Sequence, residues 1–290
     1  MNDMRQKTRD GQLIEIQDTQ DKFLTLLYGN LIGRCFVKIL TMPWISKLGG
    51  AVLSTGLSAL AIPSFIRNNQ IDMSQFEDVK YRNYNEFFMR KIKSEARVVD
   101  MDENHLISPC DCKLTVLPVE KDGRFMIKQT SYTLQSLLKD EKEAEHYLGG
   151  TLCIFRLTVD DYHRYCYVDD AEVIRKAQIP GILHTVNPIA NDVYPIYKEN
   201  TREYCVLFNK KLKRHLMMEV GALMVGKIVN HPTDSQVRRA QEKGHFMFGG
   251  STVIMVFEKG AVNIDKDILE NSENDIETVV RYGMKIGEIN

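Results

Sequence analysis

The chain has 290 residues, 38 basic and 39 acidic, and 43% of its side chains are hydrophobic. That balance suits a globular protein with a sizeable core, in one large domain or two. A net charge of −1 gives no support to nucleic-acid binding by bulk electrostatics. The six cysteines (Cys35, Cys110, Cys112, Cys153, Cys166 and Cys205) follow no disulfide framework for this length and imply a reducing compartment.

In chain order, residues 1–22 are charged and polar and do not resemble a secretory signal. Over residues 23–66 the composition shifts. Leu24, Leu27, Leu31, Cys35 and Ile39 recur at helical spacing, with Arg34 and Lys38 among them. Residues 48–66 are uncharged and long enough to span a bilayer, but Gly49, Gly50, Gly56 and Pro63 break the run. Trp44, Lys47 and Arg67 flank it as interfacial residues would. Amphipathic helices lying on a membrane surface are expected, or helices that simply pack on the core; both readings are open.

Residues 81–90 read as a short helix docking by its aromatics, and residues 107–116 as a Pro-Asp turn leading into a strand. Cys110 and Cys112 have no second Cys or His pair at zinc-site spacing, so no metal is expected there. Residues 134–147 predict one helix, ended by Gly149-Gly150. Strands are predicted at 151–159, 204–208, 216–229 and 252–257. No βαβ alternation and no repeat is present. The expected fold is therefore α+β, with N-terminal amphipathic helices over 1–75 and a mainly antiparallel, β-rich catalytic core over 76–290.

The chemistry centres on Phe248-Gly249-Gly250-Ser251-Thr252, which opens the apolar run Val253-Ile254-Met255-Val256-Phe257. Glycines there mark a bend or a close backbone approach. The Ser251 hydroxyl could attack the Gly250 carbonyl, converting amide to ester. β-Elimination would then split the chain and leave dehydroalanine, which hydrolyses to a pyruvoyl group and ammonia. The bland alternative is a β-bulge with an inert Ser-Thr pair. Such a serine needs a base, and the base benefits from an orienting acid. His163, in a turn crowded with charged and aromatic residues, is the leading base, with His184 and His245 as competitors. His105, His146, His215 and His231 sit in polar contexts and read as surface. Asp111 is a turn former or the orienting acid.

Taken together, these segments resemble the phosphatidylserine decarboxylases, which are pyruvoyl-dependent. Gly249-Gly250-Ser251-Thr252 looks like the family's self-cleavage motif, and Asp161-Tyr162-His163-Arg164 matches its Asp-Tyr-His-Arg box. Ser108-Pro109-Cys110-Asp111 is similar to its Pro-Ala-Asp-Gly turn, and residues 81–90 to its Asn-Glu-Phe-Phe-x-Arg helix. The likeness runs from about residue 75 to 260. Two positions depart from it: Cys166 stands where many members carry a second histidine, and Cys112 where a glycine is usual.

The resemblance implies that His163, oriented by Asp111, deprotonates Ser251 for attack on Gly250. The products would be a β chain of residues 1–250 and an α chain of residues 251–290 that begins with the pyruvoyl cofactor. That group would form a Schiff base with phosphatidylserine and release phosphatidylethanolamine, with no metal or external cofactor. The resemblance also implies a homodimer, and the lipid substrate together with the amphipathic N-terminal region leads us to expect a peripheral place on the cytoplasmic side of the cell membrane. Two rival readings are a pyruvoyl decarboxylase of a soluble amino acid and a lipid-binding scaffold that has lost self-processing.

Overall fold

The run Val253–Phe257 becomes, with Ser251 and Thr252, a strand buried along its whole length. The structure, a computed structural model, describes residues 5–14, 27–127, 130–191, 193–222, 227–247 and 251–290. Numbered along the chain, the strands are β1 (Arg5–Thr8), β2 (Leu13–Ile14), β3 (His105–Ile107), β4 (Cys112–Pro118), β5 (Arg124–Ile127) and β6 (Thr130–Thr133). They continue with β7 (Thr151–Leu157), β8 (Arg164–Cys166), β9 (Ala171–Ile179), β10 (Arg202–Asn209), β11 (Lys213–Val220) and β12 (Ile228–Asn230). The last are β13 (Gln236–Val237), β14 (Glu242–Phe246), β15 (Ser251–Phe257), β16 (Val262–Ile264), β17 (Ile276–Val280) and β18 (Lys285–Ile289).

Ten strands form one sheet in the order β13-β9-β10-β11-β15-β7-β4-β17-β1-β2. Every pairing in it is antiparallel except β1 with β17. Strand β15 is therefore interior, hydrogen-bonded to β11 on one side and β7 on the other. Alternation along it sends Val253, Met255 and Phe257 into one apolar cluster and Ile254 and Val256 into another. Burial on both faces explains why its sequence reads as an unbroken apolar run. Smaller sheets, β12-β14-β8 and β16-β18-β3, and the hairpin β5-β6 complete the β structure. The expected α+β class with a mainly antiparallel core is what the chain adopts.

Three expectations need correction. Residues 134–147 form two helices, Leu134–Leu138 and Glu141–Glu145. Lys139 turns left-handed at φ 53° and closes the first, and the Asp140 side chain accepts from Glu143 N to start the second. The predicted strand 216–229 ends at Val220, and Ile228–Asn230 joins a different sheet. The third correction concerns residues 1–75, which are not only helical: β1 pairs in parallel with β17 inside the main sheet.

The rest of that region contains the helices Leu31–Leu40, Pro43–Leu53 and Ile62–Asn68 and the 3₁₀ turn Gly56–Ala61. Leu24 lies outside the described residues. Among the described residues no single helix is long and apolar enough to cross a membrane. Trp44–Leu53 and Gly56–Asn68 meet that test only together, and they are bent by 75°.

Candidate active site

Ser251 opens β15 directly opposite Leu157, the last residue of β7. The chain leaving β7 turns through Thr158–Tyr162 and returns as β8, which brings His163 back over the serine. His163 Nδ1 lies 3.2 Å from Ser251 Oγ, and its Nε2 lies 2.9 Å from the Thr158 carbonyl oxygen. A carbonyl only accepts, so Nε2 carries the ring proton and Nδ1 presents a lone pair to the serine hydroxyl. Both residues are buried, His163 with 1% of its surface exposed. Burial drives the histidine down to about 3 against the partial support of the Thr158 hydrogen bond, so the imidazole is neutral at physiological pH. The Phe88 ring packs against it at 4.1 Å between centroids.

The turn that carries His163 is tied from three directions. The Asp161 carboxylate accepts from Thr158 N at 2.7 Å and Thr158 Oγ1 at 2.9 Å, and from Lys113 Nζ at 2.7 and 2.8 Å. Arg90 donates to the carbonyls of Asp160 and Asp161 at 3.0 and 3.2 Å, its guanidinium lying over Phe76 and Phe87. Arg164 donates to the Met89 carbonyl at 2.8 and 3.2 Å. Arg90 and Met89 follow the helix Tyr84–Phe88, which begins where the Asn83 side chain accepts from Glu86 N at 2.9 Å. The aromatic helix expected at residues 81–90 is thus a wedge behind the histidine.

Asp111 stands apart from this pair. Its carboxylate accepts from Arg97 Nε at 3.0 and 3.2 Å, Arg281 Nη1 at 3.2 Å and Tyr282 N at 2.8 Å. Burial works to raise its pKa, but the hydrogen bonds and charge of Arg97, then Arg281, hold it below the usual carboxylate range. The expectation that Asp111 orients His163 is therefore corrected. Both ring nitrogens are occupied by Ser251 and Thr158, and the Thr158 carbonyl does the orienting. Asp111 fastens its own turn to the C-terminal segment: Ser108 N donates to Met284 O at 2.8 Å, and Gly283 N to Ser108 O at 2.9 Å.

Of the competing bases, His184 is buried elsewhere, stacked 4.5 Å from Tyr194. His245 lies on β14 opposite Arg164, its burial and the Arg164 charge lowering it to about 4. His215, expected at the surface, is fully buried and stacks on Phe257. Cys166 belongs to the core, and burial pushes its thiol up to about 12, so it supplies no thiolate at the position where the resemblance expected a second histidine. Phe248, Gly249 and Gly250, including the expected cleavage-site carbonyl, lie outside the described residues.

Sequence reasoning missed Thr158, Lys113 and Arg90. A carbonyl leaves no trace in sequence, whereas Lys113, two residues from Asp111, and Arg90, closing the aromatic helix, were readable as charges in otherwise buried segments. On the opposite face, buried Arg156, the register partner of Thr252, donates from Nε to Glu277 Oε1 at 2.7 Å.

The fold sets a buried serine at the head of an interior strand, with Nδ1 of a buried, neutral histidine against its hydroxyl. A family model described as phosphatidylserine decarboxylase matches residues 84–288. Phosphatidylserine decarboxylase proenzyme 2 of Clostridium acetobutylicum is 42% identical over 268 residues, 92% of each chain. The phosphatidylserine decarboxylase proenzyme of Fusobacterium nucleatum is 38% identical over 91% of this chain and 90% of its own. That of Clostridium tetani is 38% identical over 97% and 96%. The chain belongs to the phosphatidylserine decarboxylase family and is a decarboxylase, that is, a carboxy-lyase.

Proposed function

We propose that the chain is made as a proenzyme, cuts itself between Gly250 and Ser251, and decarboxylates phosphatidylserine to phosphatidylethanolamine. The observation that carries this reading is the 3.2 Å contact between Ser251 Oγ and the proton-free Nδ1 of a buried, neutral His163. Nδ1 takes the hydroxyl proton as Oγ attacks the Gly250 carbonyl carbon. The Ser251 nitrogen leaves with that proton, and the peptide bond becomes an ester. Loss of the Ser251 Cα proton expels the Gly250 carboxylate and leaves dehydroalanine at residue 251. Water then displaces ammonia, and the α chain of residues 251–290 begins with a pyruvoyl group.

That group supplies a ketone able to form a Schiff base with the lipid's amine and to accept the electron pair as carbon dioxide departs. The chain's own residues contribute position and dryness. Thr158 and Phe88 fix the imidazole, Ser251 is buried at the head of β15, and Nδ1 is the ring atom able to move a proton at residue 251. Arg156 and Glu277 join the two prospective chains across the sheet.

The substrate suits the N-terminal helices, which leave Phe36, Trp44, Leu48 and Val52 exposed, with Leu57 and Leu60 each 80% exposed. These apolar side chains support peripheral attachment to a membrane. Free Cys110, Cys112, Cys153, Cys166 and Cys205 support its cytoplasmic side. The homodimer rests on the family resemblance alone, and sedimentation of the detergent-solubilised protein tests it.

Intact-mass spectrometry under denaturing conditions tests the reading. The expected result is two chains, the smaller covering residues 251–290 and lacking one ammonia relative to a serine start. The Ser251→Ala and His163→Ala variants are expected to remain single chains of 33.4 kDa. A wild type that stays uncut, or a Ser251→Ala variant that cleaves, overturns it.

A further inference from the structure

The small sheet β12-β14-β8 brings together three side chains that the proposed mechanism does not use. His231 follows β12, and Glu242 and His245 lie on β14. One ligand atom from each lies within 4.8 Å of the others. Residues three apart on a regular strand face opposite sides. Here the pairing of β14 with β8 slips between Glu242 and Gly244, and such a bulge re-aims a side chain, which puts both residues on one side.

Gly244 supplies the other half of the geometry. A Cβ there would meet the Val229 carbonyl oxygen at 2.2 Å, so only glycine lets β12 approach β14 this closely. His231 is then anchored by its backbone N to Lys243 O at 2.8 Å, and its Nε2 lies 2.6 Å from Glu242 Oε1.

We propose that His231, Glu242 and His245 bind one divalent ion of the zinc class, with water in the fourth position. Two imidazoles and a carboxylate are a donor set that zinc accepts in open sites. Tetrahedral coordination needs ligand atoms about 3.3 Å apart, given metal–ligand bonds of about 2.0–2.2 Å. Side-chain rotation supplies that, opening the His231–Glu242 contact and drawing His245 in. His245 Nδ1 is buried with no hydrogen-bond partner, an unused donor site beside the cluster.

A further hydrogen bond orients the carboxylate from behind. Arg164 Nη1 holds Glu242 Oε1 at 2.7 Å and is itself fixed on the Met89 carbonyl. Its positive charge opposes the ion, so the affinity belongs in the micromolar range rather than that of a structural zinc finger. Entry is open. His231 and Glu242 are 38% and 34% exposed, and His231 lines a cavity of about 440 Å³ with Asn230 and Lys243. Because Phe246 N donates to the His163 carbonyl at 2.9 Å, an ion here would stiffen the strand that holds the catalytic turn.

The test is Zn²⁺ binding to untagged, chelator-stripped full-length protein, read by competition with a chromophoric chelator. Wild type and Ser251→Ala are measured side by side, so the outcome does not depend on self-cleavage. One Zn²⁺ per chain is expected in both, with a higher melting temperature when the ion is bound. His231→Ala, at a side chain 38% exposed, and Glu242→Gln should each weaken binding at least about tenfold. His146→Ala, at an exposed histidine far along the chain, should change nothing. The proposal fails if wild type retains no Zn²⁺ at micromolar free ion. It fails equally if His231→Ala binds as tightly as wild type.

Discussion

A single main-chain oxygen, that of Thr158, decides which nitrogen of His163 meets Ser251. An acid was expected in that role, and Asp111 stood in the right motif for it. Its carboxylate is instead consumed by Arg97, Arg281 and Tyr282. Asp111→Asn is accordingly expected to act first on stability, because it leaves Arg97, whose side chain is only 11% exposed, without its counter-charge. The expected loss is about 3–5 kcal/mol in urea unfolding, the usual penalty for removing one partner of a buried ion pair. At permissive temperature the folded fraction should still process at residue 251. An Asp111→Asn protein of normal stability that fails to cleave would place the carboxylate in the chemistry after all. At this scale Ser251 and His163 were legible as residue types in the right motifs. The acceptor that positions them was invisible, since every residue has the same carbonyl.

Among the elements, the five-residue helix Tyr84–Phe88 does more than fill space. Phe88 sets the tilt of the His163 ring, while Arg90 and the Met89 carbonyl grip the turn on either side. Phe88→Ala should cost about 3–5 kcal/mol as a large-to-small core change. It should also slow self-cleavage in protein that remains folded, as followed by mass spectrometry over time. A cleavage rate equal to that of wild type in the folded fraction would reduce the helix to packing.

Elements were legible where burial was uniform, as in β15, and illegible where local chemistry overrode the pattern. The break at Lys139 depends on one left-handed residue and an aspartate cap, which leave the apolar spacing of 134–147 intact. Strand β9 was missed because Glu172, Arg175 and Lys176 face solvent on a nine-residue strand near the sheet edge. Its charges hide the alternation that the edge position tolerates.

For the molecule as a whole, burying neutral histidines makes folding sensitive to acid. His163 is lowered to about 3, and His184, His215 and His245 to about 4, in each case chiefly by burial. Below the ordinary value of 6.5 the unfolded chain binds protons that the folded chain refuses. Stability is therefore full above about pH 6.5 and falls until the folded values are reached near pH 3–4. Each fully buried histidine contributes up to about 1 kcal/mol per pH unit across that window. Urea midpoints measured from pH 7 to pH 4.5 should fall steadily. A flat profile would mean that these imidazoles are solvated. The fold class was legible because composition and strand spacing report burial. The parallel seam between β1 and β17 was not, since it joins opposite ends of the chain through a polar segment.

The interior position of β15 bears on what a cut ahead of Ser251 leaves behind. The new end would head a mid-sheet strand, laddered to β7 from Ser251 and to β11 from Thr252, so the fragment 251–290 could not detach without opening the core. While folded, the cut protein would behave as one body. Once melted, however, it would become two molecules in solution, and refolding would change from a first-order to a second-order reaction. An intact precursor should recover after dilution from denaturant at any concentration, whereas its processed form should recover only when its fragments can find each other. Maturation would thus be a step that the fold can take once and, at cellular dilution, cannot retrace.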